Sequence, residues 1–207
     1  MLVVKEIPTY KMETSLFAHL KGLEFHALNY EPWSVEKSGT KTFFKIAHDT
    51  QNVYLQFKIE EENTLATYIN DYDHVYEDSC VEFFINTNSG QYINFEFNAI
   101  GTCLAQKGKG RESRESLPLS FIRSIVREAS LKNEKMPIVK KNIEWDLSLL
   151  IPLGQLLKRK LSNLATKGNF YKCGDRLPTP HYLAWSRIET PAPDFHCPIF
   201  FENIYFE

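Results

Sequence analysis

Two carboxylates stand out for their chemistry. Glu82 lies in CVEFFIN and Glu96 in YINFEFNA, and both occupy the phase opposite the apolar residues of their segments. Carboxylate pairs about 5–9.5 Å apart serve glycoside hydrolysis. Strand pairing brings acids together routinely, so a sugar-binding or solvated role is the preferred reading and catalysis by Glu82 and Glu96 the alternative. The chain has no GxSxG elbow, HExxH, P-loop or GxGxxG. GKGRE at 108–112 lacks the strand-to-helix context of a phosphate loop and, beside RESRES, is expected to be a flexible loop.

Metal ligation has weaker support. His181, His196, Cys173, Cys197 and Asp194 cluster late in the chain, but their spacings match no zinc signature and ordinary loop residues explain them. Calcium needs only carboxylates and carbonyls and leaves no spacing code, so Asp71, Asp73 and Asp78 remain candidates. The four cysteines, Cys80, Cys103, Cys173 and Cys197, form no CxxC pair and are expected to be free, mostly buried thiols.

Aromatic residues are abundant, with 15 Phe, 10 Tyr and 3 Trp, more than a core readily absorbs. Tyr72, Tyr76 and Trp185 fall in loop-like or strand-end sequence, Trp145 alternates with Leu147 and Leu149 as a core residue would, and Trp33 follows Pro32 at a turn and fits either role. An exposed ring offers a flat apolar surface to the C–H face of a pyranose, while carboxylates and amides take its hydroxyls. Tyr76 lies six residues before Glu82, at the entrance to that strand.

The elements that must position these groups are mainly strands. VYLQFKI, CVEFFIN and YINFEFNA alternate apolar and polar residues with period 2, and TFFKIAH, IRSIVRE, IEWDLSLLI, NFYKC and NIYFE are further candidates. Only SLFAHLKGL and PLGQLLKRKL carry helical spacing. The expected fold is all-β, an antiparallel jelly-roll-like sandwich with one or two short helices. No linker divides it, so residues 1–207 read as a single domain. If strands 80–86 and 91–98 pair through TNSG with both apolar faces on one core, partner numbers must sum to an even value. Glu82, Phe84, Tyr92, Asn94, Glu96 and Asn98 then share the opposite face.

Composition sets outer bounds. The chain has 207 residues, 43% of them hydrophobic, which excludes a disordered class. Twenty-four basic and 26 acidic side chains give a net charge of −2, with no broad positive field for nucleic acid. No segment approaches a membrane span, and MLVVKEIPTYKMETS shows no export signal, so no membrane partner is expected and the compartment is not assigned. Oligomeric state is not readable.

DYDHVYEDSCVEFFIN followed by GQYINFEFNAIG resembles the central signature of family 9 carbohydrate-binding modules. IEWDLSLLIPLGQLL is similar to the connecting strand and short helix, and NFYKCGD, HYLAWS and PDFHCPIFFENIYFE resemble the closing segments of bacterial members. The resemblance runs from about residue 40 to the end. It implies a β-sandwich that binds a mono- or oligosaccharide without catalysis, often beside glycoside hydrolases in polysaccharide catabolism. In such modules two rings clamp a terminal sugar and an acid holds its hydroxyls. The carry-over places Tyr76 at the first ring, where Trp is usual, Glu82 at the acid and Trp185 at the second ring. Asn98 and Lys172 take strand positions able to face the ligand. No cofactor is required, though the family leaves room for structural calcium. A domain that kept the sandwich and lost the ligand is the third reading.

Overall fold

The alternating segments fold as strands. The computed structural model describes residues 1–11, 13–34, 37–87 and 89–207. In chain order the strands are β1 (Leu2–Glu6), β2 (His26–Ala27), β3 (Lys41–His48), β4 (Val53–Ala66), β5 (Cys80–Asn86), β6 (Tyr92–Asn98), β7 (Cys103–Gly108), β8 (Arg114–Ser116), β9 (Val126–Ala129), β10 (Ile138–Ile151), β11 (Leu164–Cys173), β12 (Tyr182–Ala184) and β13 (Glu202–Phe206). Three short helices are α1 (Leu16–His19), α2 (Leu119–Ser124) and α3 (Leu153–Leu157). Among the described residues no helix is long and apolar enough to cross a membrane.

The sheet order is β8-β7-β6-β5-β11-β13-β1-β3-β4-β10-β9, with β12 on β11 and β2 on β3. Most pairs are antiparallel, as alternation implied. The exception is β1, which runs parallel to β13 through residues 2–4 and parallel to β3 through residues 5 and 6. One short strand thus passes from one half of the curled sheet to the other. The halves close on a shared core in which Phe44 of β3 stacks on Phe170 of β11 at 3.8 Å, and Phe170 stacks on Phe83 of β5 at 4.9 Å. Trp145 is fully buried here, as its phase required.

The β5–β6 register follows the even-sum rule: Glu82 pairs with Glu96, Phe84 with Asn94 and Cys80 with Asn98. Val81, Phe83, Ile85, Ile93, Phe95 and Phe97 enter the core, and the polar set lies on the other face. Of the connecting loop TNSG, Asn88 lies outside the described residues.

Two local expectations need correction. Residues 122–124 of the stretch read as IRSIVRE strand belong to the helix Leu119–Ser124, and pairing begins only at Val126. SLFAHLKGL yields one helical turn, which starts where the Ser15 side chain accepts a hydrogen bond from the Ala18 amide at 3.2 Å.

Candidate functional site

The polar face of β5, β6 and β11 forms the floor of a pocket of about 190 Å³. Glu82 and Glu96 are buried in it, directly opposite each other, with Cβ atoms about 4.5–5.5 Å apart by strand geometry. Cys173 faces the same way, its thiol 3.2 Å from Glu82 Oε1. Tyr76 enters from a 3-10 turn, Val75–Glu77, and stacks on His74 at 5.4 Å. Trp33, Tyr182 and Phe195 complete an aromatic wall, with Trp33 edge-on to Tyr182 at 5.8 Å. The Trp33 indole N–H donates to Thr190 O at 2.9 Å, which fixes that ring.

The basic side of the pocket comes from the segment read as a flexible loop. Residues 109–113 connect β7 to β8 and bring Arg111 and Arg114 to the cavity. Gly108 permits this tight approach, since a Cβ there would lie 2.3 Å from Ser113 O. Arg114 stands 3.6 Å from Glu96 and donates to His196 Nε2 at 3.1 Å. Because a guanidinium only donates, Nε2 must accept, so Nδ1 carries the proton and donates to Tyr92 Oη, 2.9 Å away. Burial, then the neighbouring Arg114 charge, pushes the His196 pKa down to about 3 and keeps the ring neutral.

Burial also governs the two acids. It drives Glu82 well above the usual carboxylate range, reinforced by Cys173 and Glu96. It raises Glu96 to about 7, with Arg114 pulling the other way. Both groups are therefore pushed toward the neutral form, which can donate as well as accept a hydrogen bond.

The five residues singled out from sequence part company here. Tyr76 and Glu82 both line the pocket. Asn98 shares the face of Glu82, but its amide donates to Tyr68 O and Asp78 Oδ2 and accepts from the Ile100 and Thr102 amides, so it secures a turn. Lys172 corrects the expectation more sharply. It alternates with Tyr171 and Cys173, points into the sandwich, and forms a fully buried ion pair with Glu61 at 2.8 Å.

Trp185 is also turned inward. Tyr182 and Ala184 lie opposite Cys173 and Tyr171 on the pocket face, so Trp185, just past the end of β12, takes the other phase. Its ring packs edge-on against Phe170 at 5.6 Å and Phe44 at 6.1 Å. Tyr182, three residues earlier, is the ring that reaches the pocket. The missed participants, Glu96 apart, carried only composition as a signal: basic residues in the RESRES loop, and rings in Pro-rich segments.

The calcium candidates accept hydrogen bonds from the protein's own donors. Asp71 receives Arg127 at 2.6 Å and the Cys103 amide at 3.0 Å. Asp73 caps the Asn70 amide, and Asp78 accepts from Thr67, Tyr68 and Asn98. His181 receives Lys172, far in role from His196. The four cysteines are free thiols, with Cys80, Cys103 and Cys173 buried.

A curled β-sandwich carrying a pocket of this make-up, rings around carboxylates, fits a small-ligand-binding class. The profile of carbohydrate-binding family 9 matches residues 13–206, and the chain belongs to that family. A Bacteroides uniformis protein provisionally named as carbohydrate-binding is 33% identical, with 100% of this chain and 98% of that chain covered and a TM-score of 0.91. Family 9 modules from Caldicellulosiruptor kristjanssonii share the fold at lower identity. The one solved with glucose is 12% identical, covering 100% and 95% of the two chains at a TM-score of 0.67. The one solved with cellotriose is 11% identical, covering 100% and 93% at 0.66. No curated protein is significantly similar to the chain.

Proposed function

We propose that this family 9 member binds the end of a mono- or oligosaccharide in the Tyr76–Tyr182 pocket without turning it over. The observation that carries the reading is the convergence of three rings, Trp33, Tyr76 and Tyr182, with Glu82, Glu96 and Arg114 around one cavity. A ring stacks on the C–H face of a sugar, and the acids and guanidinium serve its hydroxyls. The glucose and cellotriose bound by the C. kristjanssonii modules point to the same ligand class.

Catalysis by Glu82 and Glu96 fits less well. Glycosidases divide labour between a protonated acid and an ionised base or nucleophile, set by contrasting environments. Here burial pushes both groups upward, and Arg114 offsets it only in part at Glu96. Isothermal titration with glucose, cellobiose and xylobiose tests the binding reading, and Tyr76→Ala and Tyr182→Ala should each weaken a measured affinity several-fold. Silence across the sugars would favour a sandwich that lost its ligand. Turnover of an aryl glycoside that Glu82→Gln abolishes would establish the enzyme reading instead.

A further inference from the structure

The pocket floor holds a group of donors that sugar recognition does not account for. Cys80 and Cys173 are cross-strand partners on β5 and β11, and Glu82 lies two residues beyond Cys80 on the same face. One donor atom from each, two thiol sulfurs and a carboxylate oxygen, lies within 4.8 Å of the other two, and all three residues are buried. Cys173 Sγ is 3.2 Å from Glu82 Oε1 and 3.6 Å from the Tyr76 carbonyl.

The charge surroundings of Glu82 are unusual. Among the described residues it has no basic partner: Lys172, its neighbour across the strand pair, points the other way to Glu61, and Arg114 is directed to Glu96 and His196. A buried carboxyl ordinarily has a cation or several donors beside it. Here its close neighbours are two buried thiols and the Glu96 carboxyl.

We propose that Cys80, Glu82 and Cys173 form a three-donor site for a thiophilic divalent cation of the zinc class at the base of the pocket. Two sulfurs and one oxygen are a donor set that suits such an ion and not calcium or magnesium. Tetrahedral bonds of about 2.3 Å to sulfur and 2.0–2.2 Å to oxygen put donors roughly 3.5–3.8 Å apart. The donors present reach that spacing with rotamer adjustments of a few tenths of an ångström to about an ångström. Because Glu82 and Cys173 border the cavity, the fourth position opens into it and takes a water or another oxygen ligand. A closed structural site would have filled that position with protein. The proposal stands apart from sugar binding, because the cation is read directly and without sugar.

The test is titration of reduced, chelator-treated full-length protein with Co2+. One equivalent should produce thiolate-to-cobalt charge-transfer absorption and the intense visible bands of a four-coordinate centre. Cys80→Ser and Cys173→Ser should each weaken both signals, Glu82→Gln should shift the visible bands, and Cys197→Ser should change neither. Zn2+ should displace the cobalt signal and raise the melting temperature of the wild type but not of Cys173→Ser. Absence of thiolate charge transfer in the wild type overturns the proposal even if a serine variant fails to fold. So does a spectrum that survives in folded Cys173→Ser. Sugar titration of the metal-free protein keeps the outcomes separate: binding there with no cobalt signal would sink the cation site alone.

Discussion

Glu82 and Glu96 face each other across β5 and β6 with their carboxyls buried in one polar floor. That relationship makes stability depend on pH in an unusual direction. Glu96 is held at about 7 against an ordinary 4.5, mainly by burial, with Arg114 and Asn94 opposing and Asp175 assisting. Between those values the folded protein keeps a proton that the unfolded chain has released, so raising the pH removes stability.

For the metal-free protein the loss attributable to Glu96 is about 3 kcal/mol when the titration is complete. Urea denaturation at about pH 5 and about pH 8 should show the wild type losing more stability, or gaining less, at the higher pH than Glu96→Gln does, and comparing the two proteins cancels the opposite contribution of the buried, neutral His181 and His196. Glu82, also raised by burial, keeps its own contribution in Glu96→Gln, so the difference between the two slopes reads Glu96 alone. An unchanged slope in that variant would place the proton elsewhere.

Lys172 and Glu61 form the second buried charge pair, on the core side of β11. Trp145 Nε1 donates to Glu61 at 2.7 Å and Lys172 also reaches His181 at 3.0 Å, so the pair sits in a bonded network. Removing one partner leaves the other charge uncompensated in the interior. Lys172→Met should therefore destabilise by about 3–5 kcal/mol in urea unfolding, with sugar affinity of the folded fraction unchanged. A stable variant with weakened sugar binding would return Lys172 to the pocket.

The face of β5 and β6 was legible because period 2 and a shared core leave only even registers, and Glu82, Glu96 and Tyr92 follow. What β11 and β12 do was not legible by the same reasoning. NFYKC puts one polar residue and one aromatic on each phase, Asn169 with Tyr171 and Lys172 with Phe170, so nothing local told whether Lys172 or Tyr171 turns inward; the buried partner, Glu61, is more than a hundred residues away. HYLAWS sets Tyr182 and Trp185 three apart, hence on opposite faces of a strand, but alternation alone does not say which face meets the core. The parallel pairing of β1 with β13 joins the two ends of the chain and has no local signature. Arg111 and Arg114 were hidden for another reason: charged, Ser-rich sequence looks like any solvated loop until Gly108 folds it back over the pocket.

Calcium at the acidic cluster after β4 runs against the hydrogen bonds already there. The oxygens of Asp71 and Asp78 receive N–H and O–H groups from Arg127, Cys103, Thr67, Tyr68 and Asn98. A cation in their place would meet the positive ends of those donors. Adding millimolar Ca2+ to chelator-treated protein should leave the melting temperature unchanged. A rise that Asp78→Asn abolishes would show that the cluster rearranges around the ion.

Tyr182 and Trp185 offer the sharpest contrast, because two residues three apart in one segment are expected to do unlike things. Tyr182 is half-buried at the pocket with Cys173 opposite it, while Trp185 packs on Phe44 and Phe170 between the sheets. One stacking ring contributes on the order of 0.5–1.5 kcal/mol beyond burial, so Tyr182→Ala should weaken sugar binding by roughly 2- to 12-fold with little change in unfolding midpoint. Trp185→Ala opens a void among core rings and should lower stability by on the order of 3 kcal/mol, with affinity near the parent value at temperatures where the variant is folded. Calorimetric titration and urea unfolding of the same two samples read both quantities. If the losses fall the other way round, with affinity lost in Trp185→Ala and stability in Tyr182→Ala, the assignment of the two rings to their faces is reversed. The pocket would then have to be rebuilt around the tryptophan.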